Sequence, residues 1–142
     1  MKIINTKNHK ETEKQGISFA KKLKRGDFVA LYGQLGAGKT TFIQGIMKGL
    51  GIKKRIVSPT FIIIRMYESE EKKMNVYHLD LYRIESVDDL PSIGFEDILK
   101  DEKGIVLVEW AEKIKNVLPK KRFDVYFEYM NKNCREIKIQ NG

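Results

Sequence analysis

Cysteine is almost missing from this 142-residue chain: Cys134 stands alone. No internal disulfide can form, and no cysteine cluster can assemble a zinc site, so a reducing, cytoplasmic setting is expected. Arginine is scarce as well, contributing 6 of the 27 Lys+Arg residues, which leaves few of the planar forks that read base edges or clamp phosphates bidentately. No apolar run approaches the ~18 residues of a membrane span. Runs such as Phe61-Ile62-Ile63-Ile64 and Ile105-Val106-Leu107-Val108 have the length of strands. The first residues lack the apolar core of a signal peptide. No repeat, low-complexity tract or linker divides the sequence, and its length leaves little room for a separate substrate domain.

Basic charge is what the chain has in excess. With 27 Lys+Arg against 19 Asp+Glu, the formal net charge is +8. The lysines fall in short pairs, Lys21-Lys22, Lys53-Lys54, Lys72-Lys73 and Lys120-Lys121, with no basic arm and no long block of like charge. Two readings stay open on charge alone: a solvated surface, or a patch facing an anionic partner.

Hydrophobic spacing outlines the elements. Asn8 with Glu11 forms a capping box for a helix over about 9–24, and Gly26 ends it. Asp27–Tyr32 reads as a buried strand that runs into a glycine-rich loop. Thr40–Leu50 reads as a helix with Phe42, Ile43, Ile46, Met47 and Leu50 on one face. Strands are expected over Phe61–Tyr67 and Asn75–Tyr82, joined by a polar turn. Short helical turns follow near Ser86–Asp89 and Phe95–Lys100. Ile105–Val108 reads as a central strand covered on both faces, Glu112–Leu118 as a helix stopped by Pro119. Residues 123–129 and 137–139 read as an antiparallel hairpin at a sheet edge. The expected fold is α/β, with parallel strands at the core extended by antiparallel hairpins.

One segment carries chemistry. Gly33-Gln34-Leu35-Gly36-Ala37-Gly38-Lys39-Thr40 matches the phosphate-loop pattern G-x-x-x-x-G-K-[ST], with a strand before it and a helix after. From average residue frequencies, a chance match in a chain of this length is on the order of 1 in 200. The pattern has a physical basis. Gly33, Gly36 and Gly38 let the backbone turn its N–H groups inward around a phosphate, and the helix start adds its dipole. Lys39 reaches the β- and γ-phosphates, and the Thr40 hydroxyl ligates Mg²⁺. Thr41 can add a hydrogen bond to a phosphate oxygen.

Mg²⁺ on a bound nucleotide calls for a further acid at a core strand end. Two acids qualify. Glu109, directly after Ile105–Val108, is favoured as the metal-side acid, because a central parallel strand ends beside the loop. Asp80, after Val76–Leu79, becomes a second polar group in the cleft. Ser58-Pro59-Thr60, in the connection after the loop's helix, offers a hydroxyl of the kind that reaches the γ-phosphate and Mg²⁺ in nucleotide switches. His78 reads as a strand histidine. Arg83 fits either a phosphate partner or a surface ion pair, and Trp110 either packing or a nucleotide wall. Asn131-Lys132-Asn133-Cys134 lacks the aspartate of a guanine-reading motif.

Taken in order, Gly33–Thr41, Ser58-Pro59-Thr60-Phe61, His78-Leu79-Asp80-Leu81-Tyr82-Arg83 and Val108-Glu109-Trp110 resemble the TsaE family, over about residues 11–140. The resemblance implies one P-loop NTPase-like domain over 1–142, a three-layer α/β sandwich. It implies a bacterial ATPase required for the threonylcarbamoyl modification of adenosine beside the anticodon of certain tRNAs. ATP and Mg²⁺ are the implied cofactors. The partners would be TsaD and TsaB, with tRNA met through their complex; neither DNA nor a membrane is involved. By matching positions, Lys39 and Thr40 carry phosphate and Mg²⁺ binding, Glu109 is the second metal-side acid, and Asp80 serves hydrolysis. Thr60 is switch-like, and Thr12 lies near the nucleotide base. Gln34 departs from the family, which usually has an acid there, and Ala111 stands where proline is frequent. The competing classes are a small-molecule or nucleoside kinase, and a binding module without turnover.

Overall fold

A computed structural model describes residues 1–34, 37–54, 63–131 and 134–141. The expected Phe61 start of a strand lies outside the described residues, as do Leu35, Gly36 and the whole of Ser58-Pro59-Thr60. Among the described residues seven strands form one sheet: β1 (Lys2–Thr6), β2 (Phe28–Tyr32), β3 (Ile64–Ser69), β4 (Met74–Asp80), β5 (Gly104–Glu109), β6 (Phe123–Asn131) and β7 (Cys134–Asn141). Their spatial order is β1-β7-β6-β2-β5-β4-β3. The central four, β6-β2-β5-β4, run parallel, while β3 and the β7-β1 pair add antiparallel margins. This is the mixed α/β sheet that the hydrophobic spacing predicts.

Alternation along the strands sorts the core into two clusters. Val29, Leu31, Ile105 and Leu107 pack with Phe19, Phe42, Ile43 and Ile46 from the helices α1 (His9–Ala20) and α2 (Lys39–Gly49). Ala30, Val106 and Val108 face the other way, toward Leu90, Phe95, Ile98 and Ile114. Those residues come from short 3-10 turns and the five-residue helix α3 (Phe95–Leu99). On this second face the Tyr32 hydroxyl donates to Asp124 Oδ1 at 2.7 Å, and Arg122 Nε donates to the same oxygen at 2.8 Å. Burial and the Asp124 hydrogen bond together raise the Tyr32 phenol above its usual range.

Three elements differ from the sequence expectation. The first helix stops at Ala20, with turns carrying the chain to Gly26. Its Asn8 cap accepts from Glu11 N at 2.9 Å, but Glu11 Oε1 accepts from Lys7 N, one residue before the cap. The expected helix over 112–118 is a 3-10 segment, Ala111–Val117, broken at Ile114 where φ is −126°. The hairpin of β6 and β7 is not an edge, because β1 pairs with β7 from Lys2↔Ile139 to Thr6↔Arg135. Five residues, mostly exposed, are too few for alternation to announce a strand, and β1 exists through its partner.

What fixes α2, and with it the loop before it, is close contact with α1. A Cβ added to Gly45 would clash with the Glu13 carbonyl oxygen and stand 3.0 Å from Gly16 Cα, and one on Gly16 would clash with the Phe42 carbonyl oxygen. The two backbones touch where each helix carries a glycine. Alanine normally gains up to about 1 kcal/mol over glycine inside a helix, but the clash is with backbone that cannot rotate away. Gly45→Ala is therefore expected to destabilise the fold by about 1–3 kcal/mol, the usual range for overpacking. Urea unfolding followed by circular dichroism measures it, and a stabilised variant would refute the contact.

Candidate active site

The strand order brings the predicted residues together at one end of the sheet. In the β4–β5 register Asp80 is paired with Glu109, so the two acids end adjacent parallel strands side by side. Both are buried. Next door, Leu31 is paired with Glu109, and β2 leads directly into the glycine-rich loop. Side chains at 105, 107 and 109 share the face that α2 covers, and those at 76, 78 and 80 share it on β4. The acids thus point toward the start of α2.

Gly33 and Gly38 both have left-handed backbone, at φ 142° and 101°. Gly33 has a second constraint: a Cβ there would stand 2.8 Å from the Phe127 carbonyl oxygen. Gly38 is the N-cap of α2, with no side-chain capping bond, and no acidic residue occupies the first turn. The leading N–H groups of an 11-residue helix therefore lack the side-chain acceptor that usually serves them, an arrangement suited to an anion. Gln34 is exposed, Ala37 is buried and Thr41 is half-buried.

Lys39 is 4% exposed. Its ammonium donates to the Gly33 carbonyl oxygen and lies 3.8 Å from the centroid of the Trp110 ring. Burial lowers its pKa, against the opposing pull of Glu109, Glu112 and Asp80. Trp110 follows Glu109 in left-handed backbone, at φ 62°, an unfavourable conformation for a bulky residue that turns the chain sharply at the strand end. Its ring also packs against Tyr82.

Glu109 is the junction of the site. Oε1 accepts from Thr40 Oγ1 at 3.4 Å, and Oε2 accepts from His78 Nε2 at 2.6 Å. His78 is fully buried, and its Nδ1 has no hydrogen-bond partner among the described residues. The imidazole therefore spends its one polar contact on orienting the acid. Sequence reading treats His78 as a strand residue. The missing information is the register, which offsets His78 from Glu109 by one diagonal step across β4 and β5. Asp80 holds its own turn, with Oδ1 accepting from Tyr82 N at 3.0 Å.

Thr12 and Arg135 meet on the other side of the loop. The Thr12 methyl and Arg135 Cγ stand 3.6 and 3.7 Å from where a Cβ on Gly38 would lie. Thr12 is anchored to Thr6 through their hydroxyls at 2.8 Å, and the Arg135 guanidinium lies over Tyr129. Arg135 carried no motif in the sequence; the β1–β7 pairing brings it to the loop. Arg83 is exposed and Thr41 half-buried, and the position of Thr60 lies outside the described residues.

Among the described residues no group of three His, Cys, Asp or Glu is arranged to hold a metal by itself. The oxygens of Thr40 and Glu109 suit a hard cation that takes its remaining ligands from a phosphate and water, as Mg²⁺ does.

Fold and site together define an α/β protein with a glycine-rich segment leading into an uncapped helix start and buried acids at the carboxyl ends of its central strands. The family model for "Threonylcarbamoyl adenosine biosynthesis protein TsaE" matches residues 6–137. Among similar proteins, the tRNA threonylcarbamoyladenosine biosynthesis protein TsaE of Rickettsia prowazekii is 39% identical over 95% of this chain and 90% of its own length. That of Bacillus subtilis is 38% identical over 96% of this chain and 81% of its own. The crystal structure of Bacillus subtilis YdiB superposes with a TM-score of 0.78 at 34% identity, covering 99% of this chain and 84% of that one. The chain belongs to the TsaE family, and its role lies in tRNA threonylcarbamoyladenosine biosynthesis.

Removing the histidine tests the junction. His78→Ala leaves the buried Glu109 carboxylate short of a donor and opens a cavity, and is expected to cost about 3–5 kcal/mol. His78→Gln, which keeps an N–H donor, should recover part of that in the same urea titration. Equal stability of His78→Ala and the native chain would remove the bond's importance.

Proposed function

We propose that this chain is a P-loop ATPase that hydrolyses ATP in support of tRNA threonylcarbamoyladenosine formation, working with TsaD and TsaB. The observation that carries the proposal is the convergence of Lys39, Thr40, Glu109 and Asp80 beside the uncapped start of α2. In this reading the loop from Gly33 through Leu35 and Gly36 to Thr41 surrounds the phosphates with backbone N–H groups. Lys39 exchanges the Gly33 carbonyl and the Trp110 face for the β- and γ-phosphates. Thr12 and Arg135 border the nucleoside side. Thr60 would act as the switch hydroxyl.

Thr40 and Glu109 would hold Mg²⁺, which neutralises charge on the phosphate oxygens when bound. Asp80, already fixed by the Tyr82 backbone, orients the attacking water. Water adds to the γ-phosphorus as the bond to the β-phosphate oxygen breaks, giving ADP and inorganic phosphate. Lys39 balances the charge that builds on the β–γ oxygens. His78 keeps the Glu109 carboxylate turned toward Thr40 and away from bulk water.

Phosphate release from ATP, measured with no added acceptor and with or without TsaD and TsaB, tests the reading. Release without an acceptor, raised by the partners, is expected. ADP formation that needs a small-molecule acceptor and ignores the partners would make the chain a kinase. Nucleotide binding with no turnover in either condition would make it a binding module. Lys39→Ala should reduce turnover about 100-fold, the order of one lost electrostatic contact to the transition state.

Binding has its own optical readout. Trp110 is the single tryptophan and its ring carries the Lys39 ammonium. Adding ATP should change its emission as Lys39 leaves for the phosphates, and Lys39→Ala should abolish the change. An identical response in that variant would show that the change does not come from Lys39 leaving the ring.

A further inference from the structure

The second concentration of charge lies at the opposite end of the sheet. The turn between α1 and β2 carries Lys21, Lys22, Lys24 and Arg25, and the approach to β6 carries Lys120, Lys121 and Arg122. These segments are far apart in sequence. β2 and β6 are parallel neighbours with Val29 paired to Phe123, so both basic turns enter the sheet side by side. A cleft of about 520 Å³ opens there, lined by Lys22, Lys24, Arg25, Lys121 and Arg122, with Asp27 the one acid among its lining residues. Asp27 is partly committed, since its Oδ2 accepts from Lys24 N at 2.7 Å. Arg122 is held by Asp124. Lys22, Lys24, Arg25 and Lys121 are exposed and enter none of the ion pairs formed among the described residues.

Four cations unpaired in this way repel one another unless an anion comes between them. The nucleotide proposed for the glycine-rich loop cannot be that anion. The loop follows the far end of β2, and five strand residues at about 3.3 Å each put on the order of 15 Å between the two ends. The charges are spread over two turns and are mostly lysine, which acts as a point charge without a bidentate fork. Such a surface suits a repeating anionic backbone better than one small ligand. The family's place in a tRNA modification pathway puts a polyanion of that kind within reach.

We propose that this basic cleft is a docking surface for an RNA phosphate backbone, binding by charge without reading sequence, so that the chain touches tRNA directly at the end of the sheet remote from its glycine-rich loop. The proposal rests on the placement of these charges and on the family, and does not require ATP turnover.

Unmodified tRNA binding to the intact chain, followed by fluorescence anisotropy across a salt series, tests it. The variant Lys22→Glu/Lys121→Glu is compared with Lys53→Glu/Lys54→Glu, which makes the same change of net charge at an exposed pair elsewhere. Each lost phosphate contact lowers the salt slope by about 0.9, so the cleft variant should lose about 2 in slope and at least about tenfold in affinity near 100 mM salt. The control pair should change far less. Lys22→Gln/Lys121→Gln should show a smaller loss in the same direction, which guards against a defect introduced by the new acids. Equal losses in the cleft and control variants would reduce the effect to net charge and overturn the proposal. Unchanged tRNA binding with weakened association to TsaD and TsaB would also overturn it, and would assign the cleft to an acidic protein surface. Phosphate release by the cleft variant is measured separately, so failure of the ATPase reading and failure of this one are told apart.

Discussion

A carboxylate buried at the end of a wholly buried central strand is the constraint on which the site depends. Glu109 cannot sit at 3% exposure without donors for its oxygens, because an unpaired buried charge costs several kcal/mol. The fold supplies them from two directions. His78 comes from the neighbouring strand, and Thr40 comes from the first turn of α2. Each donor presupposes a larger arrangement: the first the β4–β5 register, the second the seating of α2 against the sheet. A one-residue slip of β4 would turn His78 to the opposite face and leave the acid stranded. The polar junction and the apolar core therefore specify the same structure.

The seating of α2 in turn depends on how closely α1 approaches it. Gly16 and Gly45 let the two helix backbones touch, and the aromatic contacts of Phe19 with Phe42 and of Phe42 with Phe127 lock their tilt against β6. The glycine-rich loop is thus held from both ends, by β2 before it and by a wedged helix after it. Anion-receptive N–H groups need that rigidity, since a loop free to relax would fold its donors onto its own carbonyls. The parallel strands then divide the molecule's charge by direction. Their carboxyl ends gather the loop and the acids, while their amino ends gather the lysine-rich turns.

Much of this was legible in the sequence, and the exceptions share a cause. Local signals were dependable. The spacing around Lys39 located the loop, the continuous apolar run Ile105–Val108 marked the central strand, and Glu109 and Asp80 were identified from their positions at strand ends. Relations between distant segments were not legible. His78 was an ordinary strand residue until the register placed it diagonal to Glu109. Arg135 carries no sequence signal, and β7 brings it to Gly38. Strand β1 has too little alternation to be seen without its partner β7, and nothing local in the sequence marks Gly16 and Gly45 as contact points between helices. The Ala111–Val117 segment misled for a local reason: its apolar spacing fits a helix, but the chain enters it from the left-handed turn at Trp110 and breaks again at Ile114.

That turn also explains how the buried loop lysine is held. A buried ammonium with no partner would be costly, and the acids nearby could capture it outright in an ion pair. The left-handed backbone at Trp110 instead delivers the ring to within 3.8 Å of Lys39 Nζ, while the Gly33 carbonyl accepts one of its protons. A cation over an aromatic face is stabilised by about 0.5–2 kcal/mol, comparable to a charge-assisted hydrogen bond. The lysine is therefore kept ordered by contacts that leave the Glu109 oxygens to Thr40 and His78. A direct Lys39–Glu109 pair would have been harder to break and would have occupied the acid. Placing an aromatic ring beside the acid keeps both charges available, at the cost of one unfavourable φ angle in the chain.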